Sequence, residues 1–132
     1  MVGIVVVSHS ERAAEGIAEI AAEMAGDTRI EPVGGDGKGG IGTVPDAIEA
    51  AIDAAAGGDE GAESDPVVVL VDLGSAVMNA DVAVELSDAE AVIADAPVLE
   101  GAVNAAVAAT DPSATVESVR EQAEAARDIE KL

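Results

Sequence analysis

The only histidine of the chain stands directly after a run of β-branched residues, in a position where an imidazole can act chemically. His9 follows the run Val2–Val7, and Asp72 follows a second apolar run, Pro66–Val71. Both runs have the length and composition of strands that are buried on both faces of a parallel sheet. If the two strands are neighbours, His9 and Asp72 meet, because parallel strands end at the same edge of their sheet.

An imidazole beside a carboxylate has a defined chemistry. The carboxylate holds one ring nitrogen, which fixes the tautomer and the orientation of the ring and leaves the other nitrogen as a nucleophile. We therefore expect His9 to carry a phosphoryl group and Asp72 to orient it. The nitrogen distal to the ring attachment is expected to react, because Asp72 should hold the proximal one. The alternative is a histidine with a structural role alone.

Three predicted helix starts near this edge could hold the phosphoryl group. Helix N-termini bind anions through free backbone N–H groups and the helix dipole. Ser10 is a candidate N-cap of the first helix, Ser8 and Glu11 have capping-box spacing there, and Thr43 is predicted to cap the second helix. Each of these residues is also an ordinary capping residue. The candidate phosphoryl ligands are Ser10, Thr43, Gly74 and Ser75.

The segment Gly34–Gly42 is rich in glycine and contains Lys38. It superficially resembles the deviant phosphate loop of MinD- and ParA-type ATPases, but Gly42 stands where that loop has its second lysine. It also follows the second strand, which is a poor context for a nucleotide-binding loop. We expect instead a mobile loop that closes over the site, with Lys38 either solvated or adding a positive charge there.

The apolar periodicity predicts how these residues are positioned. Strands and helices alternate and two helices end the chain, which indicates an α/β fold with a parallel open sheet and helices on both faces. The first and third strands are the most apolar, so the predicted order is 2-1-3-4 with the site between strands 1 and 3. The predicted strands are Val2–Val7, Arg29–Val33, Pro66–Val71 and Ala91–Ala94. The predicted helices are Glu11–Met24, one capped by Thr43 with apolar residues to Ala55, Ala76–Leu86, one from Pro97 to about Ala109, and Ala114–Ile129.

Composition excludes several classes of function. The 132 residues suit one domain, 1–132, and include 27 acidic against 6 basic side chains, a net charge of −21. Such a charge repels nucleic acids and anionic membranes. The chain has no cysteine and one histidine, so we expect no disulfide, no metal and no cofactor. Neither a signal peptide nor a membrane span is apparent, which predicts a cytoplasmic protein.

The charge also indicates the salt in which the protein works. Only two lysines and no aromatic residues accompany the acidic excess, which favours adaptation to molar salt in a halophile. At about 1 M salt the Debye length is only about 3 Å, so self-repulsion is largely screened. An ordinary acidic domain is the alternative. The acidic connection Gly57–Asp65 is predicted to tolerate insertions.

Five segments of the chain together form a recognisable pattern. They are Val5–Ser10, Ala14–Ile17, Gly40–Thr43, Val69–Ala76 and Ala96–Ala102. In these segments the chain resembles a known family, the mannose-type enzyme IIA domains, and within it the DhaM branch of phosphoenolpyruvate-dependent dihydroxyacetone kinases. The loop Gly34–Gly40 is richer in glycine than is usual in that family.

The resemblance implies roles and partners. His9 would be phosphorylated by the carrier HPr, Asp72 would orient it, and Thr43, Gly74 and Ser75 would line the phosphoryl site. The acceptor would be ADP on the kinase subunit DhaL, whose partner DhaK binds dihydroxyacetone. The family usually forms homodimers. Some members carry HPr-like and enzyme I-like domains that this sequence lacks, so we expect a separate donor protein.

Three other functions compete with this interpretation. A mannose-class sugar-transport enzyme IIA would use the same chemistry with a permease as acceptor, although the segment Pro97–Ala102 favours the dihydroxyacetone branch. A non-catalytic regulatory module of flavodoxin-like fold, such as a receiver domain, would need an acidic cluster after the first strand. The chain has Ser8-His9-Ser10 there. A purely structural dimerisation domain would not depend on His9.

Overall fold

The fold is built on one parallel sheet of four strands. The structure is a computed structural model that describes residues 1–57 and 64–132. The strands are β1 (Gly3–Ser8), β2 (Ile30–Gly34), β3 (Val67–Val71) and β4 (Ala91–Ile93). All neighbouring strands pair in parallel, in the order β2-β1-β3-β4, so the predicted order 2-1-3-4 is confirmed.

Helices cover both faces of this sheet, as the sequence predicts. They are α1 (Glu11–Ala22), α2 (Pro45–Ala55), α3 (Ser75–Leu86), α4 (Val98–Ala109) and α5 (Val116–Glu124), and a 3₁₀ turn, Ala125–Asp128, follows α5. Helices α1, α4 and α5 pack on one face, and α2 and α3 pack on the other. Within the two described ranges, no helix combines the length and the apolar composition that crossing a membrane requires.

The two central strands supply the core on both faces, because successive side chains of a strand point to opposite sides. Burying one Val, Leu or Ile side chain stabilises the fold by about 1.5–3 kcal/mol. Facing α1, α4 and α5 are Ile4, Val6, Val68 and Leu70. Facing α2 and α3 are Val5, Val7, Val67 and Val69. The continuous apolar runs of the sequence therefore follow from two-sided burial.

Close packing at one end of the sheet depends on Gly3. A Cβ atom on this residue would lie 2.2 Å from the carbonyl oxygen of Ala55, at the end of α2. Because no carbon atom can approach an oxygen so closely, only glycine lets α2 pack against β1 here. The contact helps to fix where α2 lies on the sheet.

Helix α2 begins later than predicted. Its N-cap is Val44, which makes no side-chain capping bond, so the prediction that Thr43 caps this helix is wrong. The reason is Pro45, whose fixed φ suits the first helical position and whose ring forces the preceding residue into an extended conformation. Thr43 is thereby left one residue outside the helix, with its hydroxyl available for other contacts.

Other predicted boundaries also shift. Helix α1 ends at Ala22 rather than Met24, and α3 begins at Ser75, one residue early. Helix α5 is shorter than predicted at both ends: Thr115 and Ser118 form a capping box that starts it at Val116, and after Glu124 the chain continues as the 3₁₀ turn. In the predicted connection Gly57–Asp65, residues 58–63 lie outside the described residues.

Candidate functional site

The only histidine and its predicted partner meet at the edge where β1 and β3 end. The paired residues Val7 and Val71 bring the two strand ends side by side, and the Asp72 N–H donates to the Val7 carbonyl over 3.1 Å. The Nδ1 atom of His9 lies 3.0 Å from Oδ1 of Asp72. Two residues 63 positions apart in sequence are therefore in contact, which confirms the spatial prediction made from strand order.

The Asp72 carboxylate is held by three donors. Its Oδ2 atom accepts the Ser8 hydroxyl at 2.9 Å and the His9 backbone N–H at 3.0 Å, and its Oδ1 faces the imidazole. Burial raises the pKa of Asp72, but the hydrogen bonds from His9 and Ser8 outweigh it and hold the pKa below its ordinary value. The group is therefore a carboxylate at neutral pH and can act only as an acceptor.

This carboxylate determines which nitrogen of His9 is free. Because Asp72 can only accept, Nδ1 must carry the proton, and in the neutral ring Nε2 has the lone pair. The Ser75 hydroxyl lies 2.9 Å from Nε2 and donates to it when the ring is neutral. The His9 side chain is 19% exposed, so a nucleophilic nitrogen is held in place and still reachable from outside.

Ser8 contributes more to this arrangement than the sequence indicated. Its side chain is buried, donates to Asp72 and accepts the Ser10 N–H at 3.1 Å. The capping-box role suggested by its spacing to Glu11 is not what the structure shows, because Ser10 is the N-cap of α1. A signal was present: a serine at the end of a fully buried strand needs a hydrogen-bond partner.

The predicted phosphoryl ligands surround the imidazole to different degrees. Ser75 contacts the ring directly, whereas the Ser10 hydroxyl accepts the Ala13 N–H at 3.2 Å and caps α1. Gly74 is the N-cap of α3 and supplies no capping side chain, so the first N–H groups of α3 have no side-chain cap. Apart from its own chain neighbours, nothing lies within 4 Å of where a Gly74 Cβ would be, so the space on that side of Gly74 is open.

The glycine-rich loop is tied to the site through its last residue. The Gly42 N–H donates to the His9 carbonyl at 2.9 Å, which places Thr43 next to the site. Inside the loop, the Asp36 carboxylate accepts the N–H groups of Lys38 and Gly40 at 2.8 and 2.9 Å, and these bonds lower the pKa of Asp36. Closure of the loop over the site remains a prediction.

Thr43 is held from a second side by a residue that the sequence did not single out. The side-chain amide of Asn79, on α3, donates to the Thr43 hydroxyl oxygen at 2.7 Å and to the Thr43 carbonyl at 3.3 Å.

In the part of the chain that the structure describes, no three side chains of His, Cys, Asp and Glu are grouped as metal ligands would be.

The residues of this site lie within a stretch that matches a known family. Residues 3–120 match the EIIA-man family model, which describes the phosphotransferase system (PTS) fructose IIA component. The chain belongs to the EIIA-man family. The mannose-type enzyme IIA resemblance predicted from the sequence is thereby confirmed.

Curated relatives of this EIIA-man chain carry kinase names. It is 38% identical over 122 residues to the PTS-dependent dihydroxyacetone kinase, phosphotransferase subunit DhaM, of Lactococcus lactis subsp. lactis, covering 92% of this chain and 93% of that one. It is 41% identical over 100 residues to the PEP-dependent dihydroxyacetone kinase 1, phosphoryl donor subunit DhaM, of Listeria innocua, covering 76% and 75%. The crystal structure of the unknown function protein EF1359 superposes with a TM-score of 0.75 at 28% identity, covering 93% and 92%.

Proposed function

We propose that this chain is a phosphoryl carrier that takes a phosphoryl group from phospho-HPr onto His9 and passes it to ADP on a DhaL subunit. The observation that carries the proposal is the row of contacts Asp72–His9–Ser75. The Asp72 carboxylate fixes Nδ1 of His9, and Nε2 contacts the Ser75 hydroxyl, which can turn away from it. The names of its relatives, which are DhaM subunits of dihydroxyacetone kinases, support the same role.

In the loading step, Nε2 of His9 attacks the phosphorus atom of the phosphohistidine on HPr. The new N–P bond forms as the donor N–P bond breaks, and the donor imidazole keeps the electron pair of the broken bond. The Nδ1 proton stays on His9, where Asp72 stabilises the positive charge that the substituted ring acquires. Ser75 must release Nε2 as the phosphorus approaches, since its hydroxyl lies on that nitrogen at 2.9 Å.

The transferred group is then stabilised as an anion. The Ser75 hydroxyl can turn from Nε2 to a phosphoryl oxygen, and the start of α3 offers the backbone N–H groups of Gly74 and Ser75, since those of Ala76 and Val77 already donate to the Leu73 and Gly74 carbonyls at 3.0 Å. The Thr43 hydroxyl is a further donor, held by Asn79 on α3. Ser10, as the N-cap of α1, brings the start of that helix to the same edge of the sheet. Spread over these donors, the charge of a loose phosphoryl-transfer transition state is stabilised.

In the unloading step, the Nε2–P bond breaks and its electron pair returns to the nitrogen, while a terminal phosphate oxygen of ADP takes the phosphoryl group. The product, ATP, serves DhaL and DhaK in phosphorylating dihydroxyacetone. We further propose that residues 1–132 act as one domain, that two copies form a homodimer, and that the protein works in the cytoplasm.

A sugar-transport role is the second candidate. It is favoured by the matching family model, which describes a fructose IIA component. The chemistry at His9 would be the same, and only the acceptor would differ. The two roles differ in which acceptor removes the phosphoryl group from the phosphorylated protein. Transfer in the presence of DhaL, DhaK and ADP, but not to a permease subunit, supports the kinase role, and the opposite pattern supports transport.

The central test is phosphorylation in a reconstituted system. Wild-type protein and His9→Ala are incubated with phosphoenolpyruvate, enzyme I and HPr, and intact mass is measured before and after acid treatment. We expect one acid-labile, base-stable phosphoryl group on the wild type and none on the variant. A phosphoryl group that persists on His9→Ala would reject the proposal.

A further inference from the structure

Asn79 lies on the same face of α3 as Ser75, one turn further along the helix. Residues four positions apart on a helix are neighbours, and side chains lean towards the helix N-terminus. Ser75 contacts Nε2 of His9, and Asn79 contacts Thr43. Helix α3 therefore holds the imidazole and Thr43 from one face.

The orientation of the Asn79 amide is dictated by its partner. The Thr43 carbonyl can only accept, so the amide nitrogen and not the amide oxygen must face it. The same NH₂ group has a second hydrogen, which points to the Thr43 hydroxyl oxygen at 2.7 Å. The hydroxyl oxygen is thus an acceptor in this contact, and its own proton stays free for another partner.

Thr43 is anchored on its other side as well. Its neighbour Gly42 donates to the His9 carbonyl, so the segment is fixed between β1 and α3. Because α2 starts at Pro45 and Val44 is its N-cap, the Thr43 hydroxyl is not used as an N-cap. Because the Thr43 hydroxyl oxygen accepts from Asn79 and does not cap α2, the hydroxyl proton can be donated to an anion.

We propose that Asn79 is a positioning residue for phosphoryl transfer, which directs the Thr43 hydroxyl proton to an oxygen of the phosphoryl group on His9. The inference rests on the proposed function. Asn79 does not touch the phosphoryl group. It acts by occupying the acceptor side of Thr43 and by fixing the main chain at that residue.

Two replacements of Asn79 separate this role from a purely structural one. Asn79→Ala loses the two donors, and we expect transfer from phospho-HPr to slow about tenfold, less than the roughly 100-fold or larger loss typical of a direct oxyanion donor. Asn79→Asp keeps the shape but accepts the Thr43 hydroxyl proton and adds negative charge, so it should slow transfer more than Asn79→Ala. If Asn79 only filled space, the near-isosteric aspartate would be the milder change.

The coupling to Thr43 is tested by a double-mutant cycle. In a Thr43→Val background, where the hydroxyl is absent, Asn79→Ala should slow transfer no further, whereas in a Thr43→Ser background its full effect should return. The ³¹P chemical shift of the phosphohistidine should move similarly in Thr43→Val and in Asn79→Ala. Asn104→Ala is the matched control, because the Asn104 amide likewise donates to a backbone carbonyl outside its own helix, that of Gln122, at 3.0 Å.

The outcomes distinguish this inference from the proposed function. A wild-type protein that takes no phosphoryl group on His9 rejects both. Normal loading of the wild type combined with additive effects of Asn79→Ala and Thr43→Val, or with an Asn79→Asp faster than Asn79→Ala, overturns the role of Asn79 alone. Slowing by Asn104→Ala equal to that by Asn79→Ala would also overturn it, since general loosening would then explain both.

Discussion

At the scale of single residues, the replacement Asp72→Asn is informative because it changes the chemistry and keeps the shape. The His9 backbone N–H, which sits 3.0 Å from one carboxylate oxygen, requires an acceptor there, so the new amide must turn its NH₂ group towards Nδ1. That imposes the tautomer with the proton on Nε2 and removes the nucleophilic lone pair. We expect loading by phospho-HPr to slow by at least about 100-fold, since the corresponding change in a serine-protease triad costs about 10⁴-fold.

The rate is measured by rapid quench and intact mass. Asp95→Asn is the matched control, because this exposed carboxylate pairs with Arg127 at the surface, at 3.2 Å. The control should load at the wild-type rate. Wild-type loading by Asp72→Asn would show that the tautomer of His9 is not set by this contact.

The lowered pKa of Asp72 has a consequence for stability in acid. Because the folded state holds this carboxyl ionised, the unfolded chain binds its proton more tightly. The stabilisation is complete above the unfolded pKa of about 3.9 and is lost as the pH falls through the lower folded value. The difference in free energy of unfolding between wild type and Asp72→Asn should therefore change against the wild type as the pH falls below about 4.

Urea unfolding of both proteins at each pH, in constant high salt, measures this difference. Only its pH dependence bears on the pKa, because the replacement also alters other contacts. A difference that stays flat to pH 3 would mean that the pKa of Asp72 is not lowered in the folded state.

Sequence reasoning found the residues whose position follows from strand order and missed those that depend on side-chain geometry. His9 and Asp72 could be paired because each ends a buried strand. Asn79 could not, since its partner Thr43 lies 36 positions away in a loop whose course no periodicity predicts. Thr43 is a capping residue by type, but Pro45 restricts Val44 to an extended conformation, and Val44 is therefore the N-cap.

At the scale of elements, replacement by alanine should have opposite effects on stability at two glycines, one packed between β1 and α2 and one exposed on α1. Gly3→Ala would place a methyl group against the Ala55 carbonyl and should lower the free energy of unfolding by about 1–3 kcal/mol. Gly16 is exposed in the middle of α1, and nothing lies within 4 Å of its missing Cβ. Gly16→Ala should stabilise the protein by about 0.5–1 kcal/mol, because glycine is a poor helix former.

Denaturant unfolding of the two variants beside the wild type checks both signs in one experiment. Each change adds a single methyl group, so the pair is matched in chemistry and differs only in surroundings. A Gly3→Ala protein as stable as the wild type would show that α2 can withdraw from β1 without loss.

The order of elements was predictable because it rests on two-sided burial, while their ends were not. Continuous runs of Val and Ile in β1 and β3 can only be central strands of a covered sheet, and the order follows. Helix ends depend on local hydrogen bonds. The Thr115–Ser118 capping box starts α5 at Val116, two residues after the start predicted from the sequence. Residues that merely continue an apolar pattern do not specify where a helix begins.

At the scale of the whole molecule, a net charge of −21 makes the salt concentration part of the stability. The Debye length falls from about 10 Å at 0.1 M salt to about 3 Å at 1 M, so repulsion between carboxylates should be strong in dilute buffer and largely screened in molar salt. We expect the Tm to rise steadily as KCl is increased from 0.1 to 3 M. This is the behaviour that adaptation to a salt-rich cell requires.

Salt also strengthens apolar burial, so the electrostatic part of the rise must be isolated. Glu15 and Glu19 lie four positions apart on the exposed face of α1, and Glu23 follows four positions later as its exposed C-cap; like charges at this spacing are destabilising. The triple variant Glu15→Gln, Glu19→Gln, Glu23→Gln should have a higher Tm than wild type at 0.1 M KCl and a smaller rise with salt. The two proteins should converge at 3 M, where screening removes the repulsion that the variant lacks. Parallel curves for the two proteins would assign the salt effect to apolar burial and contradict an electrostatic origin.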